Sequence, residues 1–284
     1  MSDPETPQAR TVAAVLCVCL PMIQPAPATA DAAVSISTDR PSVADYSPIV
    51  PVGALQIESG LLTTETDSLT TLDLPEVLLR YGLLAKTELR LTLPDYFWNF
   101  PHCSNTNASV VPTVFSHTTG GCAGTNGTQS GFGDMAIGLK QHLGGLGGFD
   151  FLLIPTLSFP TGARQFTSGG YDPGLMLPWS RSLSANWTVA GQFAAYWPTQ
   201  DGSRNDTKEA TLLFDRQLTA PWDAFIEYVG DFPQRGGSRQ LLHVGTAYKL
   251  APNQQVDFHA AVGLSEAAPK YYVGFGYSYL LLTR

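Results

Sequence analysis

Runs of about ten residues in which apolar and polar side chains strictly alternate recur from residue 53 to the end of the chain, separated by turn-forming residues. The stretch GFGDMAIGLK (131–140) sets Met135, Ile137 and Leu139 on one face and Asp134 and Lys140 on the other. Next, FDFLLIPTLSF (149–159) repeats the pattern with Phe149, Phe151, Leu153, Leu157 and Phe159. A period of two places successive side chains on opposite faces of a strand, so each run reads as a β-strand with one apolar face. Twelve such runs are present: 53–62, 72–81, 88–94, 131–140, 149–159, 175–181, 187–196, 207–216, 222–231, 241–250, 256–264 and 271–281.

The connections alternate too. Short ones at 82–86, 143–148, 182–186, 217–221 and 251–254 are interleaved with longer polar ones at 63–71, 95–130, 161–171, 197–206, 232–240 and 265–270. An even number of strands with short turns at one end and long loops at the other is the sequence pattern of a transmembrane β-barrel. Twelve strands enclose too wide a space for side chains alone to fill. The apolar faces are therefore expected to meet lipid and the polar faces a lumen, and closure satisfies every backbone N–H and C=O inside hydrocarbon. Tyr81, Phe97, Trp98, Trp179, Trp187, Trp197, Trp222, Tyr271 and Tyr279 fall near strand ends, where interfacial aromatic girdles belong. The expected fold is all-β: a closed antiparallel transmembrane β-barrel of about 12 strands, with short periplasmic turns and longer extracellular loops.

The amino terminus reads differently. An apolar core, TVAAVLCVCL (11–20), precedes Pro21, Pro25 and Pro27 and ends in Ala28-Thr29-Ala30, a secretory signal with cleavage expected near Ala30. No second apolar stretch is long enough for a transmembrane helix. The expected organisation is a signal peptide at 1–30, a periplasmic or lumenal segment at 31–52, and a barrel at 53–284 with a long extracellular loop at 95–130. Pro41, Pro48 and Pro51 keep the 31–52 segment out of the wall. Inside the lumen, its Asp39 and Arg40 would meet wall charges; otherwise it is a periplasmic tail. Export to an oxidising compartment makes a Cys103–Cys122 disulfide the expected state of the two cysteines left after cleavage.

Net charge of −8 and the lack of a Lys/Arg cluster exclude nucleic acid as a partner. Glu76, Arg80, Glu88 and Arg90 share the polar face of one hairpin, where cross-strand neighbours lie about 5 Å apart. With Asp134 and Lys140 they form a candidate lumenal charge ladder, read either as a constriction that sorts permeants or as a structural network. Asp223, Glu227, His243, Asp257 and His259 fall on the less apolar face of later strands and are candidate lumenal groups. His243 and His259 also admit a hydrolase reading, but no G-x-S-x-G stretch accompanies them. His102, Cys103, His117 and Cys122 fit no compact zinc spacing, so neither metal nor cofactor is expected.

Six stretches in order, TDRPSVADYSP (38–48), LPEVLLRYGL (74–83), ELRLTLP (88–94), GFGDMAIGLK, LSFPTG (157–162) and YYVGFGYSY (271–279), resemble an outer-membrane family assigned to the MetA-type pathway of phenol degradation. The resemblance spans nearly the whole mature chain and departs from the family at the Cys-bearing insertion in 95–130. It implies a Gram-negative outer-membrane barrel that passes small, often aromatic or hydrophobic solutes, with no catalytic residues. Expected partners are a small-molecule permeant and outer-membrane lipid. An outer-membrane hydrolase, or an adhesive barrel binding through the 95–130 loop, is the alternative.

Overall fold

The computed structural model describes residues 35–102 and 128–282. Among them no helix is present, and fourteen of the sixteen strand segments make the wall. They are β1 (Ala54–Glu65), β2 (Leu69–Leu84), β3 (Thr87–Thr92), β4 (Tyr96–Pro101), β5 (Gln129–Phe132), β6 (Met135–Leu146), β7 (Phe149–Phe159), β8 (Asp172–Ser184), β9 (Trp187–Tyr196), β10 (Thr199–Gln200), β11 (Ser203–Arg204), β12 (Thr207–Thr219), β13 (Trp222–Pro233), β14 (Arg239–Ala251), β15 (Gln254–Gly263) and β16 (Tyr271–Leu282).

All strand pairings are antiparallel, and β1 pairs with both β2 and β16, which closes the sheet. Two staves are interrupted. β3 pairs with the lower half of β2 and β4 with its upper half, so β3 and β4 are one stave broken at 93–95. In the same way β5 pairs with β4 and β6 with β3, one stave broken at 133–134. The barrel thus has twelve staves, while β10 and β11 form a small hairpin outside it.

The stretch 95–130 is not all loop, which corrects the expectation. Tyr96, Trp98 and Phe100 alternate with buried Phe97 and Asn99, and that alternation extends the wall through β4, with β5 pairing beside it. The sixth strand, expected only over 175–181, runs the length of β8.

Large apolar side chains point outward and charges inward. Phe193 is 57% exposed, Phe258 50% and Ile137 41%, whereas Arg80, Lys140, Glu88, Glu227 and His243 are all 0% exposed. A water-soluble protein sorts residues the other way; this sorting is that of a wall facing lipid. Tyr81, Trp187, Trp222 and Tyr271 are exposed among the outer aromatics, but Phe97 is buried inside the barrel and belongs to no girdle. At the short-turn end, β6 and β7 join through Gly147 and Gly148, both at positive φ, which glycine adopts without steric cost.

Candidate functional site

Residues 35–52 lie within the ring of staves. Apart from one bridge between Val52 and Gly82, they form no strand pairing with the wall. Side chains of the wall satisfy them instead, because a proline-rich segment lacks the donors and regular dihedrals of a strand. Its apolar residues sit in small patches: Ile36 and Val50 against Ala54 and Leu280, Tyr46 against Ala190, Leu213 and Phe225.

Asp39 is the hub. Lys140 Nζ lies 2.8 and 3.0 Å from its two carboxylate oxygens, Arg90 Nη1 donates to Oδ2, and Arg80 Nη1 stands 3.4 Å away. Burial pushes the Asp39 carboxyl up, but Arg80, Lys140 and Arg90 outweigh it and hold the group well below the ordinary carboxylate range. Around this hub Arg80 grips Glu88 in a two-pronged bond (2.7 and 2.9 Å) and reaches Glu58 at 2.8 Å. Arg90 also holds Asp45 at 3.0 Å. Three cations therefore face four carboxylates, Asp39, Asp45, Glu58 and Glu88, in a space with little water. The carboxylates also accept backbone N–H groups of the segment: Glu58 from Asp39 and Arg40, Glu88 from Val50.

Further contacts secure the segment's turn. Arg40 pairs with Glu76 at 2.6 Å and approaches Asp257 at 3.5 Å. Across the lumen Glu227 accepts the backbone N–H groups of Val43 (2.9 Å) and Ala44 (3.0 Å). Glu227 also bonds His243 Nδ1 at 2.9 Å, and His243 Nε2 lies 3.0 Å from His259 Nδ1. Both ring nitrogens of His243 are thereby occupied, and among the described residues no serine hydroxyl bonds either histidine. Asp223 sits apart, half-buried at the short-turn end of β13.

The ladder read from the sequence divides. Arg80, Glu88, Arg90 and Lys140 meet around Asp39, while Glu76 contacts Arg40 rather than Arg80. Asp134 is in neither group: it stands at the break between β5 and β6 and accepts the backbone N–H groups of Gly162 (2.8 Å) and Ser168 (2.9 Å). Nor is the lumen at this level merely wet, because the segment fills it and leaves the cluster buried. Sequence reasoning missed Asp45 and Glu58 as members and Glu227 as an anchor for the segment; the signal available was the density of polar residues in 38–47 opposite a charged hairpin. The signal peptide, Cys103, Cys122 and His117 lie outside the described residues. His102 is exposed on the rim, 3.2 Å from Glu65.

A closed twelve-stave wall with an apolar exterior and a charged interior defines a bacterial outer-membrane β-barrel. The chain belongs to the family described as "Putative MetA-pathway of phenol degradation", whose model matches residues 38–281. Its fold is similar to that of a COG4313 outer membrane channel from Pseudomonas putida F1, with 17% identity, a TM-score of 0.63, and coverage of 84% of this chain and 98% of that one. Weaker likenesses include the NanC porin (8% identity, TM-score 0.49, 81% and 100% covered) and the Pseudomonas putida toluene transporter TodX (10%, 0.42, 81% and 89%). A search of curated proteins returned no match.

Proposed function

We propose that the protein is a passive conduit for small solutes, aromatic or hydrophobic ones among them, and that residues 35–52 gate its lumen. The observation that carries the reading is how the segment is held: by side-chain hydrogen bonds and ion pairs around the ring, not by the sheet. Such a segment can leave without breaking a single stave pairing. The family description and the channel of the same fold support passage over catalysis. The hydrolase alternative needs a nucleophile beside His243 or His259, and Glu227 and His259 occupy the nitrogens of His243 instead.

Uptake of labelled phenols, aromatic acids and alkanes by a Gram-negative host lacking its general porins tests the reading. Expression should raise uptake of at least one class above that of the empty host. No gain for any class, together with ester or lipid cleavage by the purified protein, would replace passage with hydrolysis.

A further inference from the structure

The long-loop end of the lumen carries a second arrangement that neither the charge cluster nor the gate explains. Loop 160–171 folds back over the β5–β6 break instead of standing off into solvent. Ala163 N–H donates to Phe132 C=O (2.7 Å), and Phe166 and Thr167 N–H both donate to Ala163 C=O (2.7 and 2.9 Å). Asp134 pins both ends of this turn through Gly162 and Ser168. The result is a phenyl ring inside the barrel mouth: Phe166 is 4% exposed and stacks on Phe97 with centroids 5.6 Å apart and planes 11° from parallel. Two glycines leave room for the pair. A Cβ on Gly131 would come within 2.9 Å of the Phe166 ring, and one on Gly133 within 2.7 Å of the Phe97 ring.

Beside this stack lie two carboxyl groups, each with an unpaired oxygen. Asp73 is directly opposite Phe97 in the β2–β4 pairing, is 7% exposed, and its Oδ1 has no hydrogen-bond partner. Asp95, two residues before Phe97, stands beside Asp73 and likewise has a buried Oδ1 with no partner. Leaving buried carboxylate oxygens unpaired is costly. A site that only packed a loop would be cheaper with apolar groups there.

We infer that Phe97, Asp73 and Asp95 form a recognition site for an aromatic ring bearing a hydrogen-bond donor, a phenol-class permeant, and that Phe166 occupies its ring position when the site is empty. The inference rests on the passage reading and names the residues that would set its selectivity among aromatic solutes. An entering ring exchanges with Phe166 on the face of Phe97. Directly opposed positions on paired strands are about 5 Å apart, a distance a phenol spans from ring centre to a bonded carboxylate. A hydrocarbon gains the stacking but leaves the carboxyl oxygens unpaired; an aromatic carboxylate adds a further negative charge beside the close Asp73–Asp95 pair and Glu76. The expected order is phenol, then toluene, then benzoate.

Calorimetric binding of phenol and toluene to the detergent-solubilised full chain tests the site, with uptake by the porin-deficient host as the second measurement and heat-modifiable gel mobility as the check on folding. Phe97→Ala should weaken phenol binding and Phe166→Ala should strengthen it, each by about three- to tenfold, because one removes the platform and the other a competitor. Asp73→Leu should lower the phenol-to-toluene preference by about tenfold. Asp73→Asn, which keeps an oxygen acceptor and removes the charge, should admit benzoate, and serves where the leucine variant fails to fold. If the two alanine variants move phenol binding in the same direction, or the phenol-to-toluene preference survives both Asp73 changes, the site is packing and the inference falls. Phenol binding that behaves as expected in a chain that carries no solute into cells supports the site and overturns passage alone.

Discussion

At the scale of single residues, Asp39 matters most, because three cations converge on one carboxylate. Asp39→Asn leaves Lys140 buried without its main counter-charge and removes one of the carboxylates that hold Arg90, and breaking a buried ion pair from one side costs about 3–5 kcal/mol. The cost falls on retention of the segment, so residues 35–52 should become cleavable by protease in an otherwise folded barrel. The pH dependence has a definite sign. A carboxylate whose pKa is depressed in the folded state contributes stability above its unfolded value and loses it as pH falls through the folded one. Burial pushes Asp45 in the same segment up to about 6, so its protonation favours the docked segment; conductance in planar bilayers should hold or fall from about pH 8 to about pH 5 and rise only in stronger acid, where Asp39 titrates. Arg80 and Arg90 act on both the segment and the permeant. Replacing both with Ala frees Glu58, Glu88 and Asp45 of their cations, so conductance should rise and the reversal potential in a salt gradient should shift toward cation preference.

Among the elements, the two faces of β6 differ most in their surroundings. Ile137 is 41% exposed on the outer face, and Lys140 on the inner face is fully buried within the charge cluster. Arg at Ile137 should cost about 2–4 kcal/mol near the bilayer midplane, against little at the inward neighbour Ala136, as read by denaturant titration of the barrel in lipid vesicles. Equal costs at the two positions would contradict a lipid-facing Ile137. The 35–52 segment is the opposite kind of element, with almost no backbone pairing to the wall. It was legible as non-strand from its prolines, but its place was not: proline spacing says what a segment cannot join, and Asp39 meets Lys140 across 101 positions of chain.

For the whole molecule, closure of β1 onto β16 makes the sheet independent of what fills it. Deleting residues 35–52 should therefore leave a heat-modifiable, membrane-inserted barrel with a larger single-channel conductance. Loss of the folded band would show that the segment is a structural core and not a gate.

The sequence by itself determined the class of fold and which face of each strand meets lipid, because alternation is local and a one-residue slip would bury every charge in hydrocarbon. Twelve alternating runs with short and long connections in turn leave a closed barrel as the consistent outcome. Only the tertiary structure decided the rest. Two staves proved to be broken, because the pairing of β4 with β2 is set by a partner and not by the ten-residue pattern. Asp134, identical in strand phase to Lys140, became an anchor for a loop because it lies in the interruption of its stave, between β5 and β6. The charge ladder became the socket of a segment rather than the lining of an open pore. That outcome depends on ion pairs between residues far apart in sequence, whose strength comes from burial, and burial exists only once the barrel has closed.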